Sequence, residues 1–162
     1  MTRLFTVTAL ALVSALVLAA CGSSNKSSTT STSTASTATS PAATATLVTA
    51  KKGPLGTFLV DSKGRTLYLW EADKGSKSAC NGACAATWPP LKATGTTKAS
   101  GGVKMSLLGT TKRADGSTEV TYAGHPLYHY AHEGAYEVLC HDVEEYGGTW
   151  LVVRPDGTAA PA

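Results

Sequence analysis

The sequence lacks the short motifs that mark the common enzyme classes. It has no Gly-x-Ser-x-Gly nucleophile elbow and no glycine-rich loop of the kind that holds phosphates or dinucleotides. It also lacks an excess of charge, because the chain from Leu47 onward carries 12 Lys and Arg against 11 Asp and Glu. No basic surface for nucleic acid is therefore expected. These absences favour a protein that is not an enzyme, although a site assembled from distant residues would leave no local motif.

A long apolar run is missing as well. Residues 4–18 are apolar apart from three hydroxyl residues, and the run is shorter than the roughly 20 residues of a membrane span. It follows Arg3 and ends in Leu18-Ala-Ala-Cys21, which resembles the lipobox of bacterial lipoproteins. The resemblance implies that residues 1–20 are a signal peptide and that Cys21 carries a diacylglycerol. We therefore expect an extracytoplasmic protein of the cell envelope, anchored in a membrane through lipidated Cys21.

Residues 21–46 lack the side chains that build a core. Of the 25 residues in 22–46, 16 are Ser or Thr, none is aromatic, and no aliphatic side chain is larger than alanine. Such a stretch cannot bury enough apolar surface to offset the entropy lost on ordering. The sequence predicts a disordered linker here, followed by one domain over residues 47–162.

Cysteine is scarce, and the four residues have three different expected fates. Lipidation consumes Cys21 and leaves three thiols in an oxidising compartment. Cys80 and Cys84 enclose Asn81-Gly82, which favours a tight turn and predicts a disulfide within this loop. Three residues separate this pair, whereas a thioredoxin-like motif has two. Cys140 is left over and is free to pair between molecules, bind a metal or react.

Two pairs of similar segments point to an internal repeat. Gly64-Arg-Thr-Leu-Tyr-Leu-Trp-Glu-Ala-Asp73 is similar to Gly124-His-Pro-Leu-Tyr-His-Tyr-Ala-His-Glu133. In the same way, Gly56-Thr-Phe-Leu-Val60 is similar to Gly148-Thr-Trp-Leu-Val152. We place repeat 1 at about residues 55–91 and repeat 2 at about residues 107–158.

The repeats have the pattern of β-hairpins. Residues 58–60 and 66–70 flank Asp61-Ser-Lys-Gly64, in which Asp begins and Gly ends a tight turn. Residues 107–111 and 118–122 flank a second turn that contains Asp115-Gly116. The only helical feature expected is a short turn at residues 83–87. The predicted fold is all-β, a small antiparallel β meander built from two repeated hairpin units.

The motifs resemble a family of bacterial lipoproteins known as the secreted repeat of unknown function. Tyr68-Leu-Trp70-Glu-Ala-Asp73 matches its Tyr-x-aromatic-x-x-Asp signature. Further matches are the Cys80–Cys84 loop followed by Trp88-Pro-Pro, then Gly124-His-Pro-Leu-Tyr128, and Gly-Gly-Thr-Trp150. The family-motif residues are Tyr68, Trp70, Asp73, Trp88, His125, Tyr128 and Trp150. Residues 131–146, with a cysteine and two histidines, depart from the family pattern.

All four histidines fall between residues 125 and 141. On a strand, His125 and His129 share one face, and neutral imidazoles with a thiolate suit copper or zinc. The candidate ligands are His125, His129, His132, Cys140 and His141. The alternative is that His125 belongs to the turn of the repeat and that the other side chains are solvated or satisfied locally.

Aromatic side chains alternate along the predicted strands. Such residues usually form the core and its rim, and the alternative is a platform for sugars, haem or peptides. The sequence as a whole favours a lipid-anchored binding or envelope-associated domain whose ligand or partner protein is unknown. The alternative function is a metal-handling, haem-binding or redox lipoprotein that uses the histidines and Cys140.

Overall fold

The computed structural model describes residues 45–162, in which nine strands are joined by loops, one short helix and one 3-10 turn. The strands are β1 Ala45–Gly53, β2 Gly56–Asp61, β3 Tyr68–Trp70, β4 Thr96–Ala99, β5 Leu108–Lys112, β6 Thr118–Tyr122, β7 His125–Pro126, β8 Val143–Glu145 and β9 Gly148–Val152. The helix α1 is Ala83–Thr87, and the 3-10 turn is Met105–Leu107. No helix of this part of the chain is long and apolar enough to span a bilayer.

The all-β class is confirmed, and the described strands form three small sheets. Their orders are β2-β1-β4, β3-β9-β8 and β5-β6-β7. Only the third sheet is a meander of consecutive strands. In the first sheet β1 and β4 run parallel, and in the second β9 returns from the end of the chain to lie between β3 and β8. The fold therefore depends on non-local strand pairing more than the sequence pattern indicates.

The local features that the sequence predicts are present. The turn after β2 closes with the Gly64 amide donating to the Asp61 carbonyl oxygen at 3.0 Å. Gly64 has φ +81°, a conformation that side chains with a Cβ rarely adopt. Helix α1 coincides with the helical turn expected at residues 83–87.

The domain begins slightly earlier than expected. β1 starts at Ala45, so Ala45 and Thr46 lie in a strand and not in the linker. The Thr46 side chain is buried and accepts a hydrogen bond from the Thr94 amide at 2.8 Å. The predicted signal peptide, Cys21 and the rest of the linker lie outside the described residues.

The interior consists of an aromatic cluster and an aliphatic cluster. The aromatic cluster contains the rings of the repeat motifs, and the aliphatic cluster consists mainly of Leu and Val side chains from strands and from the segments between them. Buried members of the first cluster are Phe58, Tyr68, Trp70, Trp88, Tyr128 and Trp150. Buried members of the second are Val48, Leu59, Leu67, Leu69, Leu91, Val103, Val120, Tyr122, Leu127 and Val153.

Two groups of three chain segments have the same hydrogen-bond pattern. In the first unit, the Leu59 amide donates to the Val153 carbonyl, the Val153 amide to that of Leu67, and the Leu67 amide to that of Leu59. In the second unit, Val120, Leu91 and Leu127 take the places of Leu59, Val153 and Leu67. The two halves are thus related by an approximate twofold axis.

This arrangement exchanges segments between the predicted repeats. Leu91 falls in predicted repeat 1 but completes the second unit, whereas β9 falls in repeat 2 but completes the first unit. The similarity of Gly56-Thr-Phe-Leu-Val60 to β9 therefore does not mark equivalent strands, since both lie in the first unit. The structural counterpart of β2 is β6.

Candidate functional site

The family-motif tyrosines and acids form a reciprocal pair of hydrogen bonds across the approximate twofold axis. The Tyr68 hydroxyl donates to Glu133 Oε1 at 2.6 Å, and the Tyr128 hydroxyl donates to Asp73 Oδ2 at 2.7 Å. The Tyr68 and Tyr128 backbones also bond to each other in both directions, each at 2.9 Å. Each tyrosine thus pairs with the acid of the other motif copy, as residues do in an isologous dimer interface. We call these four side chains the tyrosine–acid clasp.

Burial keeps the two tyrosine hydroxyls of the clasp protonated. It raises the pKa of both phenols, so Tyr68 and Tyr128 remain donors. Burial also raises the pKa of Asp73 and Glu133, although backbone amides bond to both acids. Asp73 Oδ1 accepts from the Ala79 amide at 2.7 Å, and Glu133 Oε1 from the Leu139 amide at 2.6 Å. Each acid thus accepts from a backbone amide six residues further along the chain, so the loops that follow the two acids are closed by the same hydrogen bond.

Four aromatic rings stack through the centre of the same axis. Trp150 and Trp88 lie face to face with centroids 3.9 Å apart and an interplanar angle of 4°. Trp70 stacks on the outer face of Trp150 at 5.1 Å, and Tyr130 packs on Trp88 at 5.0 Å. Trp88 and Trp150 are fully buried. These aromatics therefore form the core and its rim, with the three tryptophans buried and Tyr130 half-buried at the end of the stack.

The clasp tyrosines close the sides of this stack. Tyr68 meets Trp88 edge-on at 5.2 Å, and Tyr128 meets Trp150 in the same way at 5.2 Å. Glu145 holds both central indoles, since its Oε2 accepts from Trp88 Nε1 at 2.7 Å and its carbonyl oxygen from Trp150 Nε1 at 3.1 Å. The family signature is therefore a folding motif in this chain.

The Cys80–Cys84 disulfide is present as predicted, with Cα atoms 5.2 Å apart. Arg113, which the sequence does not single out, binds this loop from inside the protein. Its guanidinium donates to the Cys80 carbonyl oxygen, and to Ser78 Oγ and Glu119 Oε2 at 2.6 Å each. Arg113 and Glu119 are both buried. This ion pair fastens the disulfide loop to the β5-β6 hairpin.

The five predicted metal ligands do not come together. In the described part of the chain, no three His, Cys, Asp or Glu side chains are placed to share a metal ion. His141 Nδ1 accepts from the Val152 amide at 3.2 Å, and its Nε2 donates to the Pro161 carbonyl oxygen at 2.9 Å. The described structure thus does not assemble the expected copper or zinc site from these residues, and backbone groups occupy both ring nitrogens of His141.

The other predicted ligands face different surroundings. His132 is exposed and its ring packs edge-on against Tyr130. Cys140 is half-buried, and burial raises the pKa of its thiol, so the thiol stays protonated at pH 7. His125 lines a separate surface pocket. It does not continue a strand to His129, since β7 ends at Pro126.

His129 lies at a second concave site, separate from the pocket of His125. A pocket of about 530 Å³ opens where the start of β1, the turn after β2 and residues 89–94 meet. The His129 side chain forms part of its wall and is 3% exposed. The His129 amide donates to the Pro89 carbonyl oxygen at 2.9 Å, which fixes the backbone beside the pocket. We call this the His129 pocket.

The hydrogen bonds of His129 determine its tautomer. Nδ1 lies 3.3 Å from the Thr66 carbonyl oxygen, which can only accept, so Nδ1 carries the hydrogen. Burial, together with the charge of Arg65, lowers the pKa of His129 to about 4 against the opposing effect of Asp61. The ring is therefore neutral at pH 7, and Nε2 presents a lone pair. Among residues 45–162, this buried Nε2 has no hydrogen-bond partner.

Asp61 supplies the second acceptor of the pocket. Its Oδ2 lies 3.6 Å from His129 Nε2 and accepts from Arg65 Nε and Nη2 at 3.1 Å each. Its Oδ1 accepts from the Lys63 and Arg65 amides. Burial alone would raise the pKa of Asp61, but these amide bonds bring it below its usual value, so the carboxylate is ionised at pH 7.

Positive charge dominates the rest of the lining. Lys63, Arg65 and Lys92 line the pocket, and Asp61 is its single acidic lining residue. Lys63 and Lys92 are exposed, and within the described residues neither forms an ion pair. Sequence reasoning missed this site because Asp61-Ser-Lys-Gly64-Arg65 has the pattern of an ordinary turn. Lys92 joins it only through tertiary pairing.

Residues 49–92 match the model of a protein family described as a secreted repeat of unknown function. This match confirms the resemblance that the sequence motifs indicate, and it fits an extracytoplasmic domain. It covers β2, β3, α1 and Trp88, and so includes the first copy of the signature. No curated protein and no solved structure matches the chain.

Proposed function

We propose that the chain is a lipid-anchored extracytoplasmic binding domain, not an enzyme, and that its ligand occupies the His129 pocket. The observation that carries this proposal is the unpartnered Nε2 of His129. Leaving a buried acceptor without a hydrogen bond costs about 1–3 kcal/mol, and such atoms in native proteins require an explanation. Nε2 has less than 1 Å² of exposed area, so a ligand that displaces the neighbouring wall atoms and donates to it would supply the missing hydrogen bond.

The bonding of the histidines supports binding rather than catalysis. A nucleophilic mechanism places a histidine against a Ser, Thr or Cys side chain. In this chain His129 and His141 bond to backbone groups instead. Asp61 is occupied by Arg65 and the turn amides, so it holds the pocket in shape. The size of the pocket lies within the range of about 300–1,000 Å³ for small-molecule sites.

The leader and linker supply the anchoring part of the proposal. Cys21 with a diacylglycerol has two acyl chains, which are sufficient for stable membrane association. A flexible linker of the predicted length has a root-mean-square reach of about 25–30 Å. The domain would then bind its ligand beyond the lipid headgroups, within the adjacent wall or periplasm.

Replacing Cys21 with serine is expected to abolish anchoring without affecting the domain. Serine cannot form the thioether, so the variant should lose incorporation of labelled fatty acid and leave the detergent-rich phase on phase partitioning. The Cys140→Ser variant is the matched control and should retain both. Equal lipid labelling of Cys21→Ser and wild type would refute the anchor.

Binding at the pocket is tested by mapping small polar compounds on the full chain in detergent by amide NMR. Compounds that bind are expected to shift the amides of Ser62, Lys63 and Thr94, which line the pocket. Amides around the surface pocket that contains His125 serve as the internal reference. Compounds that cluster elsewhere, or none that bind near His129, would contradict the proposed function.

A further inference from the structure

The His129 pocket has two parts of opposite electrostatic character. Within its wall, just beneath the exposed surface, His129 Nε2 and Asp61 Oδ2 are both acceptors, lie 3.6 Å apart, and have no hydrogen between them. The exposed ammonium groups of Lys63 and Lys92 belong to the same lining. A complementary ligand therefore presents a hydrogen-bond donor to the wall and a negative charge to the two lysines.

This combination excludes simpler ligands. A bare anion is repelled at the wall, where it would meet a lone pair and a carboxylate. A metal cation finds two ligands but also the charges of Lys63, Arg65 and Lys92, which oppose it. A neutral polyol satisfies the wall and leaves the lysines unused. The ligand has to carry both a donor and an anionic group.

The donor is a hydroxyl rather than an ammonium group. Arg65 already places its guanidinium on Asp61 Oδ2, so a second cation at this oxygen would lie close to a like charge. A hydroxyl donates one hydrogen bond without adding charge. It is therefore the group that matches Nε2 beside an Asp61–Arg65 pair.

We infer that the His129 pocket binds a hydroxylated organic phosphate of the glycerol-phosphate type. Its hydroxyl donates to His129 Nε2 beside Asp61, and its phosphate is held by Lys63 and Lys92. The inference rests on the proposed function and adds to it the chemical class of the ligand. The same chemistry occurs in a free polyol phosphate and in a glycerophospholipid headgroup.

The test is calorimetric titration of the full chain in a neutral detergent with glycerol 3-phosphate, inorganic phosphate and glycerol. Glycerol 3-phosphate is expected to bind at least about tenfold more tightly than either fragment, since only it engages both parts of the pocket. The double variant Lys63→Gln/Lys92→Gln should weaken its binding at least about tenfold. The matched control is Lys74→Gln/Lys77→Gln, two exposed lysines outside the pocket, which should bind as wild type does.

His129 provides a readout that does not depend on the lysines. In the His129→Leu variant, the preference for glycerol 3-phosphate over inorganic phosphate should disappear. In wild-type protein, the ¹⁵N signal of the unprotonated Nε2 should shift when glycerol 3-phosphate binds, because the nitrogen gains a hydrogen bond. To identify the source of the ligand, the Cys21→Ser chain is floated with phosphatidylglycerol vesicles and, separately, with phosphatidylcholine vesicles. Flotation with phosphatidylglycerol vesicles only identifies a lipid headgroup. Binding of free glycerol 3-phosphate without flotation identifies a soluble ligand.

Equal affinity for inorganic phosphate and glycerol 3-phosphate overturns the inference, as does an unchanged affinity in the lysine double variant. If other compounds map to the His129 pocket while glycerol 3-phosphate does not bind, the ligand class is wrong and the proposed function stands. If no compound maps there, both are wrong.

Discussion

When the pH is lowered from 7 to 4, the free energy of unfolding of the His129→Leu variant is expected to fall by about 3 kcal/mol less than that of the wild type. The imidazole has a pKa of about 6.5 in an unfolded chain, whereas burial and the charge of Arg65 lower its pKa to about 4 in the folded protein. The unfolded state therefore binds a proton that the folded state does not. This difference corresponds to about 3 kcal/mol.

The sign of the effect follows from the lowered pKa. The contribution of His129 is fully present above pH 6.5 and is lost as pH falls from 6.5 through 4. Glu119 has its pKa raised to about 7 by burial and changes stability in the opposite direction over the same range. The quantity to compare is therefore the difference between variant and wild type at each pH, in which Glu119 cancels.

The measurement is denaturant unfolding at a series of pH values between 7 and 4. Leucine is the natural replacement, because Leu69 occupies the equivalent position in the first copy of the motif. His132→Leu, which removes an exposed imidazole, is the control and should keep the wild-type dependence. Parallel stability curves for His129→Leu and wild type would show that His129 is not held neutral.

The sequence predicts the local structure of this chain well where one turn or one loop decides it. The turn at Asp61-Ser-Lys-Gly64, the hairpin around Asp115-Gly116 and helix α1 depend on residues close in the chain. The Cys80–Cys84 disulfide also closes a short loop. In each case the determining contacts span a few residues, and amino-acid preference therefore carries the information.

β1 could not be predicted in the same way. Its first residues continue the Ser, Thr and Ala composition of the preceding linker, so the pattern gives no sign of a strand at Ala45. The strand is ordered by its neighbours β2 and β4. Pairing with partners distant in sequence is not encoded in local composition, and β propensity depends strongly on such context.

The exchange of segments between the two units could not be predicted from the repeat pattern either. Sequence similarity indicates that two motifs are alike, but it does not specify whether each tyrosine meets its own acid or the other one. The structure pairs Tyr68 with Glu133 and Tyr128 with Asp73. Each copy of the motif consequently depends on the other for its buried hydrogen bonds.

The separation of the candidate metal ligands has a related origin. Spacing along an assumed strand placed His125 and His129 on one face, but β7 ends at Pro126. The chain then leaves β6 and pairs with the segment around Pro89. His129 is thereby carried inside, against Thr66 and Asp61, where it forms the wall of a pocket.

The central structural claim is that the family signature acts across the two motif copies and not within one. A double-mutant cycle on the free energy of unfolding tests this with the changes Tyr68→Phe, Glu133→Ala and Asp73→Ala, which leave no side-chain acceptor at the two acid positions. Tyr68 and Glu133 share a buried hydrogen bond of 2.6 Å. Removing either partner should cost about 1–3 kcal/mol, because the other is left unsatisfied.

The decisive quantity is the coupling energy of each pair. We predict a coupling of at least about 1 kcal/mol between Tyr68→Phe and Glu133→Ala, and additivity within about 0.5 kcal/mol between Tyr68→Phe and Asp73→Ala, which lie in the same motif copy. Coupling of Tyr68 with Asp73, together with additivity of Tyr68 with Glu133, would contradict the reciprocal clasp.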